Sequence, residues 1–294
     1  MSCLNRLGEH TYYIEGSTNI GVYEYGGKCC LIDTGTDSSS AKAALELISA
    51  ESFTLDKVFC THSHADHTGG CAYLKAETDC KIFAPGVCAQ LLRYPYLIPT
   101  TLYGGFPCGR MKSKFVMPEA CECSEITESD LPEGLEFIHI DGHDFEQIAF
   151  KTSDNVWFIG DALVDERTIN RYKIPFLHDI RTQLNTLEML KTVDGKVFVP
   201  SHSSPVSEIK TLCQANIANI YEVSEVIKKF CADGITIDDL IEKLLGEFKI
   251  RLYIMQYELV GETARSYLSY LAESGEMEWV FDKNRLLWKT AKSS

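Results

Sequence analysis

Apolar positions in the first two hundred residues follow two periods. Short β-branched and aromatic runs, read as strands, are separated by longer stretches of helical spacing. Val22–Tyr25 and Cys29–Ile32 flank Gly26-Gly27, which predicts a hairpin. Behind a Ser-rich capping region, Ala41, Ala44, Leu45, Leu47 and Ile48 recur at helical spacing, which predicts a helix over Ser38–Ala50. Further apolar runs lie at Lys57–Cys60, Lys81–Ala84, Leu135–Ile140, Ile148–Lys151, Val156–Ile159 and Lys196–Val199. Strands alternating with helices predict an α/β layered fold. Residues 93–131 contain Pro95, Pro99, Gly104, Gly105, Pro107, Gly109 and Pro118. They predict a long irregular excursion, and such loops in compact domains are usually functional.

The texture changes after Pro205. Ile209, Leu212, Ile217, Ile220, Val223 and Ile227 predict one long helix over 207–230, ended by Asp233-Gly234. Residues 235–294 then predict three helices and a strand pair. Thr236 is the expected N-cap of Ile237–Leu245. Glu262–Glu273 is stopped by Ser274-Gly275, and Met277–Phe281 and Arg285–Trp288 flank a turn. This order resembles a winged helix-turn-helix module. The expected division is a catalytic domain at 1–204, a connecting helix at 205–233 and a winged-helix-like domain at 234–294. No internal repeat of fixed period is present.

Composition narrows the class. The chain has 294 residues, 45% hydrophobic and 24% charged, which excludes a disordered or collagen-like protein. No apolar run reaches the ~18–20 residues of a membrane span. The N-terminal segment lacks the apolar core of a signal peptide, so a soluble cytoplasmic protein with no membrane partner is expected. The net charge of −14 argues against non-specific nucleic-acid binding, which is mostly phosphate neutralisation. Residues 205–294 carry 11 basic and 14 acidic residues, a net of −3. They lack the positive footprint of a DNA-reading module. That module is therefore expected to cap the active site or to support a homodimer. The twelve cysteines include no C-x-x-C pair and read as reduced, buried thiols.

The strongest chemical signal is Thr61-His62-Ser63-His64-Ala65-Asp66-His67-Thr68-Gly69-Gly70, just after an apolar run. Imidazole and carboxylate are the usual ligands of catalytic zinc. One metal cannot easily take all four groups from so short a segment, whereas two neighbouring metals can. His143, Asp161 and His202 each follow the end of another apolar run, as does Asp33. In open α/β sheets, ligands bind beyond the carboxyl ends of strands. Five loops thus converge on one expected site. His139, four residues before His143, competes for the third position, but His143 follows Gly142 and lies outside the strand.

These motifs resemble those of the metallo-β-lactamase superfamily: H-x-H-x-D-H, then Gly-His, Gly-Asp and a late His, in order over roughly residues 8–204. The set is similar to that of the glyoxalase II branch. The resemblance implies a four-layered αββα sandwich with two divalent metal ions, zinc first, with iron and manganese also compatible. It implies that His62, His64 and His143 hold one metal, Asp66, His67 and His202 the other, and that Asp161 bridges them. Asp33 would orient ligands without binding metal. Two metals lower the pKa of a shared water toward ~7. The implied reaction is attack of the bridging hydroxide on a small ester, thioester or lactone, with Asp66 as the catalytic residue that takes its proton. Where many relatives continue Gly-His with Thr or Ser, Pro and Gly, this chain has Asp144-Phe145-Glu146, which alters the nearby pocket wall.

The substrate is expected to be a small molecule, anionic if the basic residues near the motifs face it. Expected contacts are Tyr103 and Arg110 in the excursion and Arg167, Arg171 and Tyr172 after Asp161. Three other readings share the scaffold: a phosphodiesterase or ribonuclease, an iron-dependent sulfur dioxygenase, and a non-enzymatic binding protein with a structural metal site.

Overall fold

The computed structural model describes residues 3–291. Seven strands form one sheet in chain order: β1 (Leu4–Arg6), β2 (Thr11–Ile14), β3 (Ile20–Tyr25), β4 (Lys28–Ile32), β5 (Thr54–Phe59), β6 (Lys81–Ala84) and β7 (Ser124–Glu125). The first four pair antiparallel, and β4 to β7 pair parallel. Gly26 and Gly27 take φ of 61° and 81°, which the tight β3–β4 turn requires and which glycine adopts without strain. A second sheet contains β8 (Leu135–His139), β9 (Ile148–Thr152), β10 (Val156–Phe158) and β11 (Val197–Val199), in the order β11-β10-β9-β8.

Side-chain alternation explains how the sheets stack. Cys29 and Leu31 point from β4 into an outer cluster, against Ala41, Ala44 and Ile48 of α1 (Ser38–Ala50). The same cluster takes Leu74 from α3 (Cys71–Thr78) and Leu92 from α4 (Gly86–Arg93). Cys30 and Ile32 point the other way, into a core shared with Phe150 of β9 and Phe158 of β10. Trp157 of β10 and Phe198 of β11 face a third cluster, with Leu187 from α7 (Ile180–Leu190) and Ile220 from α8 (Lys210–Phe230). Three apolar layers thus separate helix, sheet, sheet and helix, the expected αββα order. Two short helices complete the first part: α2 (Ala65–Thr68) and α5 (Leu97–Tyr103). A third, α6 (Glu166–Tyr172), follows β10.

Local chemistry fixes the helix starts. Asp37 accepts hydrogen bonds from the Ser39 and Ser40 N–H groups ahead of α1. Thr236 accepts from the Asp239 N–H at the start of α9 (Ile237–Glu247), as its sequence predicts.

The excursion is less irregular than expected. It contains α5, because Pro99 falls in that helix's first turn, where no intrahelical N–H bond is lost. Residues 235–294 contain two helices before the strand pair, not three. The last helix, α10 (Ile254–Glu273), starts two turns earlier than the periodicity suggested and runs through Gly261. It is followed by the hairpin of β12 (Met277–Asp282) and β13 (Arg285–Thr290). Leu240, Leu244, Tyr267 and Leu268 are fully buried in the same cluster as Trp157 and Leu187, so this region shares a core with the second sheet. Among the described residues, no helix is long and apolar enough to cross a membrane. All twelve cysteines are free, and ten of them are buried.

Candidate metal centre

The loops after β4, β5, β8, β10 and β11 meet at one edge of the two sheets. They bring Asp33, the 62–67 segment, His143, Asp161 and His202 together. Two groups of candidate ligand atoms form there. One comprises His62, His64, His143 and Asp161, the other Asp66, His67 and His202, each with all its atoms within 4.8 Å of one another. Asp161 reaches both groups. Its Oδ2 lies 3.4 Å from His143 Nε2 and 3.1 Å from His202 Nε2, and its Oδ1 lies 3.3 Å from His67 Nε2. His139 is more than half exposed on β8 and stands outside the groups.

Hydrogen bonds behind the rings set their tautomers. His67 Nδ1 lies 2.8 Å from Asp33 Oδ2, an acceptor, so Nδ1 carries a proton and Nε2 is the atom turned inward. His143 Nδ1 donates to the Phe176 carbonyl at 3.0 Å and His202 Nδ1 to the Ser17 carbonyl at 2.7 Å. Thr61 Oγ1 donates to Asp33 Oδ2, so it accepts from His62 Nδ1 at 2.9 Å. Four Nε2 atoms therefore face inward. His64 is turned round. Its Nδ1 lies 3.0 Å from both His62 Nε2 and His143 Nε2, and its Nε2 faces Asp144 at 3.9 Å.

One proton on His64 Nδ1 can satisfy only one of those two neighbours, so the cluster calls for a cation with several acceptor sites. His67 Nε2 and Asp161 Oδ1 are buried with no hydrogen-bond partner, and each orphaned buried polar atom requires an explanation. The donor set of imidazole nitrogens and carboxylate oxygens, without thiolate, fits zinc, iron or manganese.

Titration follows the same geometry. Burial and the neighbouring His67 and His64 imidazoles push His62 well below the ordinary histidine value. Burial pulls His143 down to about 4. Both are neutral at pH 7 and able to act as ligands. The Asp161 carboxylate pushes His202 up to about 12. Burial would raise Asp161 itself, but the positive charge drawn to His202 and His67 overcomes this and holds it well below the usual carboxylate range. Asp161, with Asp66 Oδ2 also 3.2 Å from His202 Nε2, thus calls for positive charge where the Nε2 atoms converge.

Asp33 is the keystone behind the ligands. It is buried, with φ of 63°, and accepts from the Thr61 N–H at 2.7 Å, from Thr61 Oγ1 at 2.9 Å and from His67. Asp33→Asn tolerates that backbone conformation, keeps the shape and removes the charge. It is expected to weaken metal affinity by roughly 10–100-fold, as loss of such outer partners does. Competition with a chromophoric chelator measures this, and unchanged affinity would mean that Asp33 only supports the backbone.

Asp144, noted in the sequence only as a change in the pocket wall, has a defined place. It is buried and accepts from the Ser63 N–H at 2.9 Å and from Ser63 Oγ at 2.6 Å. It thereby ties the His62–His64 segment to the His143 loop. Asn19 was not signalled at all. Its Nδ2 donates to the Pro200 and Ser203 carbonyls, both at 2.8 Å, and fixes the His202 loop. Ser17 and Phe176 act through backbone carbonyls, which no side-chain pattern reveals.

A cleft of about 810 Å³ opens in front of the centre. His64, Asp66, His143, Asp161 and His202 line its floor, and Arg167, Arg171 and Tyr172 of α6 also line it. Tyr103 and Arg110 do not. On α5, Leu102 turns into the cleft and is buried, so Tyr103, one residue and about 100° further round the helix, is turned to solvent. Arg110 lies in an exposed turn. His178 also lines the cleft but belongs to neither ligand group. Its Nδ1 lies 3.5 Å from Glu262 Oε1, and the hydrogen bond to that carboxylate, helped by its charge, raises its pKa.

The family model described as metallo-beta-lactamase superfamily matches residues 13–202. A Drosophila melanogaster protein named beta-lactamase-like protein 2 homolog is 24% identical over 203 residues, 65% of this chain and 60% of that protein. A hydroxyacylglutathione hydrolase from Shewanella loihica is 28% identical over 127 residues, 43% of this chain and 41% of that enzyme. The chain thus spans less than two thirds of these relatives. The crystal structure of a beta-lactamase domain protein from Burkholderia ambifaria superposes with a TM-score of 0.76 at 16% identity, covering 98% of this chain and 93% of that one, which is a likeness of fold. With the motif order, the αββα layers and the ligand cluster in agreement with the family match, the chain belongs to the metallo-beta-lactamase superfamily.

Proposed function

We propose that this protein is a dinuclear-metal hydrolase of a small ester, thioester or lactone. The observation that carries the reading is the pair of abutting ligand groups joined through Asp161, with the His67 and Asp161 atoms buried and unpartnered at the junction. The relatives named hydroxyacylglutathione hydrolase support the choice of a thioester among acyl substrates. In this reading His62, His64 and His143 hold one divalent cation, Asp66, His67 and His202 hold the other, and Asp161 contacts both. Zinc is the first candidate, and the twelve free thiols suit a reducing cytoplasmic setting.

Divalent cations held there supply Lewis-acid polarisation of a carbonyl and a water acidified toward neutral pH. The chain's own residues do the rest. Asp66 is half-buried, keeps its Oδ2 3.2 Å from His202 Nε2, and accepts from Thr18 Oγ1 at 3.3 Å. Its pKa is depressed: burial would raise it, but His67 and His202 overcome this, so the group stays ionised. It can orient the attacking water and take its proton. Asp33, Thr61, Ser17 and Phe176 hold the imidazoles in their required tautomers. Arg167 and Arg171 stand at the cleft for an anionic part of the substrate. We assign residues 1–204 to the catalytic domain, 205–233 to the connecting helix and 234–294 to a winged-helix-like module whose α10 borders the cleft.

Elemental analysis of protein purified without a metal-binding tag should find about two divalent ions per chain. A panel of thioesters, lactones and phosphodiesters should then show turnover of the acyl substrates that is lost with a chelator and restored by added metal. Turnover confined to phosphodiesters would replace this reading, and iron with oxygen uptake would point to the dioxygenase.

A further inference from the structure

We propose, resting on the hydrolase reading, that the inner part of the cleft is an acyl-chain chamber and that the substrate carries an unbranched apolar acyl group of medium length. The ligand cluster forms only the floor. Above it stand Leu91 of α4, Ile98 and Leu102 of α5, Phe176, and Leu259 and Val260 of α10. Leu91, Leu102 and Val260 are buried. Phe176 packs its ring edge-on against His64, with centroids 5.3 Å apart, so apolar surface begins directly beside the ligands.

Of the polar residues that line the cleft, which include Thr101, Gln183, Gln256, Glu262 and Thr263, two on α8 are engaged by backbone groups. Asn216 Nδ2 donates to the Val164 and Leu212 carbonyls, and its Oδ1 accepts from the Val164 N–H. Asn219 Nδ2 donates to the Lys173 carbonyl. A hydroxyl or phosphate pressed against these side chains would lose its water partners without replacement. A methylene chain loses nothing and gains about 0.8 kcal/mol for each CH₂ buried. The cleft lies within the ~300–1,000 Å³ range that encloses a drug-sized ligand, far more than an acetyl group fills.

The opposite end is charged. Arg167 and Arg171 lie on α6 at the cleft, and neither forms an ion pair among the described residues. The substrate that fits has an apolar tail in the chamber, its carbonyl at the floor and an anionic leaving group toward α6. The chamber is closed by α10, so the C-terminal region takes part in substrate choice.

The test has two arms on the metal-loaded protein. In the first, kcat/KM is measured for acetyl, butyryl, hexanoyl, octanoyl and decanoyl thioesters of N-acetylcysteamine. It should rise about fourfold per methylene, the fold-change that one buried CH₂ gives, and level off once the chamber is full. Leu259→Trp fills the chamber and should cut the octanoyl-to-acetyl ratio by about tenfold or more, a ratio that partial misfolding does not change. A flat series, or a ratio untouched by Leu259→Trp, overturns the chamber. In the second arm, calorimetry with butyrate, hexanoate and octanoate reads chain-length preference without turnover. A binding gradient with no thioester hydrolysed would sustain the chamber and sink the hydrolase reading. Hydrolysis with no gradient in either arm would do the reverse.

Discussion

Replacing Asp161 by asparagine is expected to abolish stable occupancy of both metal positions and to lower kcat by at least the ~10²–10³-fold that loss of one electrostatic catalytic group costs. The reason lies in its placement. Among the described residues, Asp161 is the side chain whose two oxygens face both ligand groups, Oδ2 toward His143 and His202 and Oδ1 toward His67. The amide keeps the shape but turns one oxygen into a donor aimed at imidazole lone pairs, and it removes the negative charge that offsets the cations. The folded apoprotein should survive the change, since the carboxylate is costly to bury without a cation. Thermal unfolding with and without chelator separates these effects. Metal bound at about 100 times its Kd stabilises by roughly 2.7 kcal/mol. In a chain of this size, with ~2 cal/mol/K of unfolding entropy per residue, that is a shift of about 4 °C in Tm. The wild type should lose this shift when chelated, and the variant should have none to lose. A variant that kept both ions and its chelator response would show that Asp161 does not join the two groups.

What the sequence made legible was the chemistry carried by side chains in short segments. The 62–67 run places four ligand-type residues in six positions, and His143, Asp161 and His202 each follow a strand signal, so their meeting at a sheet edge could be inferred from order alone. The hairpin at Gly26-Gly27 and the helix from Ser38 were equally plain, because turn chemistry and helical spacing are local. What stayed hidden depends on distance or on the backbone. Ser17 and Phe176 hold His202 and His143 through carbonyls, which any residue possesses. The start of α10 was obscured because apolar residues run almost unbroken from Leu252 to Val260 although Leu252, Tyr253 and Ile254 are exposed, so no clean helical stripe stands out before Gly261. Its approach to α5 across the cleft joins positions about 160 apart in the chain, a pairing that no local pattern encodes. Tyr103 is expected from the sequence to face the substrate; that it does not, and Leu102 lines the cleft instead, turns on the rotation of a helix that the prolines had masked.

The second large effect is expected at a glycine that carries no chemistry. A β-carbon at Gly69 would stand 2.1 Å from the Thr36 carbonyl oxygen and 2.7 Å from that of Ala65, both backbone atoms that cannot rotate away. The 33–36 and 62–70 loops are also bound to each other. Thr34 N–H and Oγ1 both donate to the His67 carbonyl, at 2.7 and 2.8 Å, and the Gly70 N–H donates to Thr34 Oγ1 at 3.0 Å. Gly69→Ala therefore has to push α2 away from the loop that carries Asp33, and His67 moves with it. The cost should reach about 3 kcal/mol, the upper part of the usual range for overpacking, or roughly 5 °C in Tm. Metal affinity should fall as well, because the contact between His67 and Asp33 is the one being stretched. Gly246→Ala is the matched control. It lies within α9, its β-carbon would meet nothing within 4 Å, and it should be neutral or stabilising by up to ~1 kcal/mol. If Gly69→Ala melted with the wild type and bound metal as tightly, close contact between these loops would not be what positions the second ligand group.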